Sequence, residues 1–156
     1  MSEDQCRILP IIDGLPKGFD AILVEARREG HVFVERFHAE WQEGRERYDG
    51  ENEGLFGAFL GERFVGMAAI GRDPYAQDPS IGRLRHVFVI RAARREGVAA
   101  ALVEACLERG RGFDLIRLRS RNPGTRRLYE RLGFEPVALK DATHVFRKRL
   151  DRRRSR

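Results

Sequence analysis

Residues 94–99 have the composition of a phosphate-binding loop. The residues Arg94-Arg95-Glu96-Gly97-Val98-Ala99 lie between the apolar stretch LRHVFVI and a run of strong helix formers. A helix N-terminus presents free backbone N–H groups and a positive dipole, so a glycine-containing turn that leads into one can hold a diphosphate. Gly97 and Ala99 leave the backbone open to a phosphate because their side chains are absent or small. One glycine at such a place is also typical of a plain turn. Residues 94–99 are called the glycine loop below.

The spacing of the glycine loop excludes two common nucleotide-binding motifs. The loop fits neither GxGxxG nor GxxxxGK[ST], and it contains no lysine that could reach a terminal phosphate. The remaining interpretation is a diphosphate held mainly by main-chain amides, which suits coenzyme A.

Two sequence blocks resemble the acyl-CoA-binding core of the GNAT superfamily. LRHVFVIRAARREGVAAALVEACL resembles its central strand, its [QR]-x-x-G-x-[GA] loop and the following helix, and RNPGTRRLYERLGFEPV resembles a later N-x-x-x-x-x-x-Y-x-x-x-G-F segment. The matching residues are Arg94, Gly97, Ala99, Asn122, Tyr129, Gly133 and Phe134. The blocks occur in the family's order, and the resemblance is tight over residues 83–137.

The resemblance implies an N-acetyltransferase that uses acetyl-CoA or a related acyl-CoA as co-substrate, without a metal. The acceptor would be a primary amine of a small molecule or peptide, attacking the thioester directly in a ternary complex. The implied acyl-CoA contacts are Val87, Phe88, Val89, Arg94, Arg95, Glu96, Gly97, Val98, Ala99, Ala100, Asn122 and Tyr129. Two of them would be catalytic: the Val87 amide as oxyanion donor and the Tyr129 hydroxyl as the proton donor to the leaving thiolate.

Each implied role has a structural alternative. Val87 and Val89 could be core residues and still lend their amides to a ligand. Tyr129 could pack on the sheet through its ring alone. Asn122 could contact coenzyme A or serve as a helix N-cap.

On the face that carries Val87, the predicted central strand lacks the glutamate or histidine that many GNAT enzymes use as a base. Counting back from Val87 in steps of two, along one face of a strand, reaches Arg85 and Arg83. Arginine stays protonated at ordinary pH and is no base. If both bind substrate, they favour an acceptor with a carboxylate or phosphate beside its amine. Alternatively, both reach solvent or pair with nearby acids.

His86 is the nearest replacement for the missing base. Its parity puts it on the opposite face of the strand, with Leu84 and Phe88, which favours a core or supporting histidine. The base would then be an ordered water or an acid from outside this strand. The candidate acids are Glu25, Glu40, Asp73 and Asp78.

The pattern of apolar and turn residues predicts the elements that position these groups. Residues 19–28 and 34–43 have the spacing of amphipathic helices, and residues 54–60 and 63–71 flank a two-residue turn as in a hairpin. Further strands are predicted at 6–12, 84–90, 113–120, 134–139 and 144–150, and further helices at 98–109 and 122–132. We expect a mixed α/β, GNAT-like fold with a mostly antiparallel twisted sheet of about seven strands and helices on both faces.

Size and charge favour one domain with a basic tail. The chain has 156 residues, 42% of them hydrophobic, and we predict one domain over residues 1–150 and a tail over 151–156. The last ten residues hold seven basic and one acidic residue, and the remainder is balanced at 23 of each, which argues against a nucleic-acid-binding domain surface. No apolar run is long enough for a membrane span, and the start MSEDQCRIL lacks a signal-peptide layout, so we expect a cytoplasmic protein.

The remaining interpretations concern the cysteines, the oligomeric state and alternative functions. Cys6 and Cys106 have no metal-site spacing and are interpreted as reduced thiols, with Cys106 in the core. A homodimer that uses the final strands is compatible with the resemblance. Two other functions stay open: an acyl-CoA-binding regulatory module without catalysis, and a scaffold that binds nucleic acid or a ribosomal or protein partner through its tail.

Overall fold

The computed structural model describes residues 5–94 and 97–147. These residues form one seven-stranded sheet with the strand order β1-β2-β3-β4-β5-β7-β6. The strands are β1 Cys6–Pro10, β2 Gly54–Leu60, β3 Arg63–Arg72, β4 Ile81–Val89, β5 Leu115–Leu118, β6 Glu135–Pro136 and β7 His144–Arg147. Only the β4–β5 pair is parallel, and every other neighbouring pair is antiparallel.

Four helices cover the two faces of this sheet. They are α1 Phe19–Arg28, α2 Phe33–Gln42, α3 Val98–Arg109 and α4 Pro123–Arg131. The helices α1 and α2 bury one apolar stripe each, which includes Ile22 and Ala26 on α1 and Val34 and Phe37 on α2. The helix α3 packs against β2, β3 and β4 from the other face, as the crossover between parallel β4 and β5 requires. The predicted mixed α/β fold is confirmed.

Most predicted elements occur close to their expected bounds. The helices at 19–28 and 98–109 match the sequence prediction, and α2 is displaced by one residue. The hairpin turns at Gly61, whose φ is 60°, as a two-residue turn of this kind requires. The strand expected at 134–139 is shorter, at Glu135–Pro136, and the last three residues of the strand expected at 144–150 lie outside the described residues.

The strands β4 and β5 pair over three residues and then diverge. Ile81, Gly82 and Arg83 pair with residues 115–117, whereas residues 84–89 of β4 have no partner on β5. β4 therefore presents an open backbone edge toward β5 over its second half. The space beside that edge is called the β4–β5 gap below.

A β-bulge interrupts β4 beside this gap. The register between β3 and β4 shifts so that two residues, His86 and Val87, lie opposite the single Ala68. His86 adopts a left-handed conformation with φ of 59°, which is uncommon for a residue other than glycine.

The bulge overturns part of the parity argument from sequence. Leu84 pairs with Ile70, which lies against the C-terminal end of α3. The rings of His86 and Phe88 instead contact Phe33 at the start of α2, on the other face of the sheet. The expectation that His86 shares a face with both Leu84 and Phe88 is therefore wrong for Leu84. For the same reason, steps of two across the bulge do not relate Val87 to the two arginines before it.

Gly82 in β4 is required by close packing, and Gly82→Ala should destabilise the protein. A Cβ atom at this position would lie 2.4 Å from Cδ2 of the buried Phe113, so the ring or the strand must shift. We expect the free energy of unfolding to fall by about 1 to 3 kcal/mol in urea titrations. The control is Gly14→Ala, where a Cβ would meet no atom within 4 Å. Equal stability of the two variants would contradict the prediction.

Candidate active site

The β4–β5 gap offers backbone donors to a ligand. The Ile90 amide donates to the Val65 carbonyl of β3 at 2.8 Å. Because successive amides of a strand point to alternate edges, the amides of Val89 and Val87 point away from β3 and toward the gap. A ligand that enters the gap as an extra strand would meet these two N–H groups.

The glycine loop brings a helix N-terminus to the end of the same strand. Gly97 is the N-cap of α3 with φ of 70°, and a Cβ there would meet no atom within 4 Å, so the backbone faces open space. The first helical bond runs from the Ala101 amide to the Gly97 carbonyl, and no side chain of the described residues caps the helix. The amides of residues 98–100 therefore lack intrahelical partners, as a phosphate site requires. Arg95 and Glu96, also predicted contacts, lie outside the described residues.

Arg94 anchors the glycine loop to its surroundings. Its Nε donates to the Val89 carbonyl at 2.9 Å, and its Nη2 pairs with the Glu29 carboxylate at the end of α1. The guanidinium also lies over the Phe88 ring, 5.6 Å from its centroid. Arg94 thus ties the loop to β4 and α1, whatever contact it makes with a ligand.

Tyr129 lies on α4, which follows β5, and is 6% exposed. Its ring packs against Phe134 and His144 with centroid distances of 5.7 and 6.4 Å. Burial, with a smaller contribution from the fully buried Cys106 thiol, raises the pKa of the Tyr129 hydroxyl. The raised pKa keeps this hydroxyl protonated, and among the described residues it has no hydrogen-bond partner, so it can donate to a ligand.

Asn122 acts as the N-cap of α4. Its Oδ1 accepts a hydrogen bond from the Gly124 amide at 2.9 Å, and its carbonyl accepts one from the Thr125 hydroxyl. The N-cap alternative is therefore confirmed. The predicted contact with coenzyme A stays a prediction, because a capping side chain can still face a ligand.

Arg83 is engaged by protein groups on every side. Its Nη1 lies 3.2 Å from the Asp73 carboxylate, its Nη2 donates to the Asp141 carbonyl at 2.8 Å, and its guanidinium lies 4.8 Å from the centroid of the Tyr75 ring. Arg117 of β5 donates to the same Asp73 oxygen from Nε at 2.8 Å. These contacts fit the alternative that Arg83 pairs with a nearby acid. Asp73, Arg83 and Arg117 are called the Asp73 cluster below.

The Asp73 carboxylate is a poor base because it is held ionised. Burial by itself would raise its pKa, but the bond from Arg117, the Tyr75 amide and the charge of Arg83 outweigh burial, so the net pKa is lowered. A lowered pKa leaves little affinity for a substrate proton at neutral pH.

His86 is buried in an aromatic cluster and stays neutral. Its Nε2 lies 2.9 Å from the Tyr48 hydroxyl, while its Nδ1 has no partner among the described residues. Its ring packs against Phe37 and Phe33 of α2. Burial, together with the charges of Arg85 and Arg36, lowers the pKa of His86 to about 3. This agrees with a core histidine and not with a base.

The other candidate acids differ in how they are engaged. The Glu25 carboxylate accepts the Arg91 amide at 2.6 Å, and the Asp78 carboxylate accepts the Ser80 amide and hydroxyl in a local turn. Glu40 has no side-chain hydrogen bond to the described residues and lies near Tyr48, whose pKa its charge helps to raise.

Sequence reasoning missed three residues near these groups. Arg117 joins Asp73 across 44 positions, and Tyr48 meets His86 across 38, so no local spacing indicates either contact. His144 is fully buried and bonds Glu130 of α4 at 2.8 Å. Its only signal is a histidine at the start of an apolar strand.

Residues 5–94 and 97–147 contain neither a metal-ligand cluster nor a membrane-spanning helix. In these ranges no three histidine, cysteine or acidic side chains come together as metal ligands. None of the helices that the structure describes has the length and apolar character to cross a membrane.

The comparisons agree with this architecture. A model of the acetyltransferase (GNAT) family matches residues 21–134. No curated protein sequence matches the chain significantly.

Solved structures of acetyltransferases share the fold. An acetyltransferase candidate of Exiguobacterium sp. 255-15 superposes with a TM-score of 0.82 at 24% identity, covering 92% of this chain and 94% of the other. An acetyltransferase of Streptococcus agalactiae gives 0.69 at 16% identity, covering 93% and 98%. The ribosomal-protein-S18-alanine N-acetyltransferase of Escherichia coli gives 0.62 at 18% identity, covering 94% and 96%. Because the family model spans most of the chain and the fold agrees with it, the chain belongs to the GNAT family of acetyltransferases, which use acyl-CoA as donor.

Proposed function

We propose that this protein moves an acetyl group from acetyl-CoA to a primary amine by direct attack in a ternary complex. The observation that carries the proposal is the open edge of β4, followed after a short connection by the N-terminus of α3, which no described side chain caps. A thioester arm and a diphosphate need these two kinds of backbone donor at adjacent places. The donor site would comprise Val87, Phe88 and Val89 of β4, the glycine loop and the first turn of α3.

Val87 and Tyr129 would act on the reacting atoms from two elements. The amine nitrogen bonds to the thioester carbon, and the Val87 amide donates to the oxygen as it gains negative charge. When the carbon–sulfur bond breaks, the Tyr129 hydroxyl donates to the leaving thiolate. Burial supports this role because it keeps the hydroxyl protonated.

The proton lost by the amine needs an acceptor other than a side chain of β4. His86 is neutral but too weakly basic, and Asp73 is held by two guanidinium groups. Glu40, acting directly or through water, is the candidate acid whose carboxylate has no hydrogen bond to the described residues.

The acceptor is proposed at the level of a primary amine on a small molecule or peptide. The structural neighbour from Escherichia coli is named for an alanine of a ribosomal protein, which supports peptide amines as one class to test. We further propose one domain over residues 1–150, a basic tail over 151–156, a cytoplasmic location and a homodimer through the final strands.

A second candidate function keeps acyl-CoA binding but lacks catalysis. It is favoured by the absence of an available carboxylate on β4, where Arg83 and Arg85 stand instead. Such a protein would report acyl-CoA levels as a regulatory module. The tyrosine at position 129, where the family's proton donor is expected, argues for the enzyme.

Acetyl-CoA should raise the melting temperature of the purified protein. At a ligand concentration 100 times Kd, binding adds about 2.7 kcal/mol to the free energy of unfolding, which a thermal shift assay detects. The matched control is the acetyl thioester of N-acetylcysteamine, which keeps the thioester but lacks the diphosphate, and should give no comparable shift. Longer acyl-CoAs in the same assay report the chain preference.

Transfer is then measured on a panel of small and peptide amines, by thiol release and mass of the product. Stabilisation by acetyl-CoA with no transfer to any amine would favour the regulatory module. The absence of both stabilisation and transfer would overturn the donor site itself.

A further inference from the structure

The Asp73 cluster holds more positive charge than its carboxylate balances. Asp73 is the acid within 4.0 Å of both Arg83 and Arg117, and both bond the same oxygen, Oδ2. The other oxygen, Oδ1, already accepts the Tyr75 amide at 2.7 Å. The side chains of Arg83 and Arg117 are 7% and 13% exposed, so water compensates little of the surplus.

Arg117 carries the unused part of that charge. Within the described residues the Arg117 guanidinium makes one hydrogen bond to a side chain, from Nε to Asp73. Its Nη2 is buried and has no hydrogen-bond partner. A buried donor without an acceptor is unfavourable, and buried donors in folded proteins are nearly always paired. The Arg117 side chain keeps 13% of its surface exposed, so a rotation of the guanidinium toward that side would let Nη2 donate to an entering acceptor group.

Arg85 adds a second cation beside the cluster. It is half-buried, and in the described ranges no carboxylate lies within 4.0 Å of it. Arg85 pairs with Ala69 and Arg83 with Gly71, so the two arginines are two residues apart on the regular part of β4 and share one face of the sheet. Arg85 is therefore close to the cluster and has no acid of its own.

The remaining acids of this region are engaged elsewhere. Glu53 bonds the amides of Gly50 and Arg72, and Glu46 bonds the amide of Tyr48. These acids and Glu40 lie around Tyr48, as Arg85 also does. Within the described residues none of them forms a salt bridge with Arg83, Arg85 or Arg117, and the one salt-bridge partner of Arg83 and Arg117 is Asp73.

The surplus charge lies where the β4–β5 gap begins. Arg83 and Arg117 form the last parallel pair before the strands diverge. Only the bulged His86 separates Arg85 from Val87 along β4. A group bound at Arg85 would therefore lie near the end of the gap where the acceptor amine is proposed to react.

We propose that Arg117 and Arg85 together bind an oxyanion, a carboxylate or a phosphate, carried by the amine acceptor. Guanidinium forks suit both groups, and a free Nη2 beside a second cation provides donors that no protein acid uses. The inference rests on the proposed function, because it assigns the acceptor class of the same site. The sequence predicted that Arg83 and Arg85 bind the acidic group of the acceptor. The proposal keeps Arg85 in this role and replaces Arg83 by Arg117.

The test compares amines that differ by the acidic group alone. Lysine is set against cadaverine, and O-phosphoethanolamine against ethanolamine, in transfer assays with acetyl-CoA and in calorimetric titrations with coenzyme A present. We expect the preferred acidic amine to exceed its neutral counterpart by about tenfold or more in kcat/KM and in affinity. The first pair measures the preference for a carboxylate, and the second pair measures the preference for a phosphate.

Two variants test whether Arg117 and Arg85 cause the preference for the acidic amine. In Arg117→Gln and in Arg85→Gln the acidic-to-neutral ratio should fall toward one. Arg117→Gln leaves Asp73 and Arg83 as a one-to-one pair, so folding should persist, and the melting temperature checks it. The control Arg63→Gln removes an exposed arginine at the other end of β3 and should keep the ratio.

The outcomes separate this inference from the proposed function. Transfer to amines with no acidic preference, or with a preference that both variants retain, overturns the oxyanion site and leaves the transferase. Arg117-dependent binding of the acidic amine without any transfer supports the site and contradicts the transferase. Equal and weak binding of both members of each pair, with no transfer, overturns the inference as well.

Discussion

Replacing Tyr129 by phenylalanine should lower kcat by about 100-fold or more while acetyl-CoA binding stays nearly intact. A positioned proton donor contributes on this order to catalysis. The change retains the ring that packs against Phe134 and His144, and it removes a hydroxyl without a described hydrogen-bond partner. Folding should therefore be unaffected. The measurements are kcat for a competent amine and the thermal shift with acetyl-CoA.

Tyr48→Phe is the matched control because it also removes a buried tyrosine hydroxyl. That hydroxyl bonds His86 at 2.9 Å, so its loss leaves a second unpaired ring nitrogen in the core. We expect the free energy of unfolding to fall by about 1 to 3 kcal/mol, with a lower melting temperature and no comparable loss of turnover. Unchanged turnover in Tyr129→Phe would remove this residue from the mechanism and strengthen the regulatory alternative.

The helices could be predicted from sequence because their signals are local. The bounds 19–28 and 98–109 follow from apolar spacing and from the glycines that come after the helices, Gly30 for α1 and Gly110 for α3. The glycine loop was found for the same reason, since a strand, a small residue and a helix are contiguous in the chain.

The bulge in β4 could not be predicted, and its effect on the site is large. Strand parity assumes two residues per repeat, but the left-handed His86 inserts one residue and changes the faces that follow. A glycine would have signalled such a conformation, whereas a histidine does not. The parity argument therefore placed His86 on one face with Leu84, although the His86 ring contacts Phe33 on the opposite face of the sheet.

The Asp73 cluster could not be predicted from the sequence for a different reason. Asp73 was a candidate base and Arg83 a candidate substrate contact, and the sequence offered no way to pair them. Their contact, and that with Arg117, forms only when three strands assemble. With 35% charged residues in the chain, single-sequence reasoning cannot choose which arginine meets which acid.

Asp73→Asn should be among the most destabilising conservative changes in the protein, by about 3 to 5 kcal/mol, because it leaves two buried guanidinium groups uncompensated. The carboxylate side chain is fully buried between them. Urea titration at pH 7 measures the loss, with Asp13→Asn as a control at an exposed carboxylate. Adding Arg117→Gln to Asp73→Asn should recover part of the stability, because one of the two unbalanced charges is then removed. Additive losses in the double variant would contradict mutual compensation.

The same pairing predicts how stability depends on pH. The pKa of Asp73 is lower in the folded protein than in the unfolded chain, so the folded state binds fewer protons through this group. The stabilisation is then complete above the unfolded pKa of about 3.9 and is lost as the pH falls toward the lower folded pKa. The stability difference between wild type and Asp73→Asn should therefore be largest at pH 6 to 7 and shrink as the pH falls below about 4. A difference that stays constant down to pH 3 would mean that the charge of Asp73 contributes nothing, and that the asparagine variant fails through packing alone.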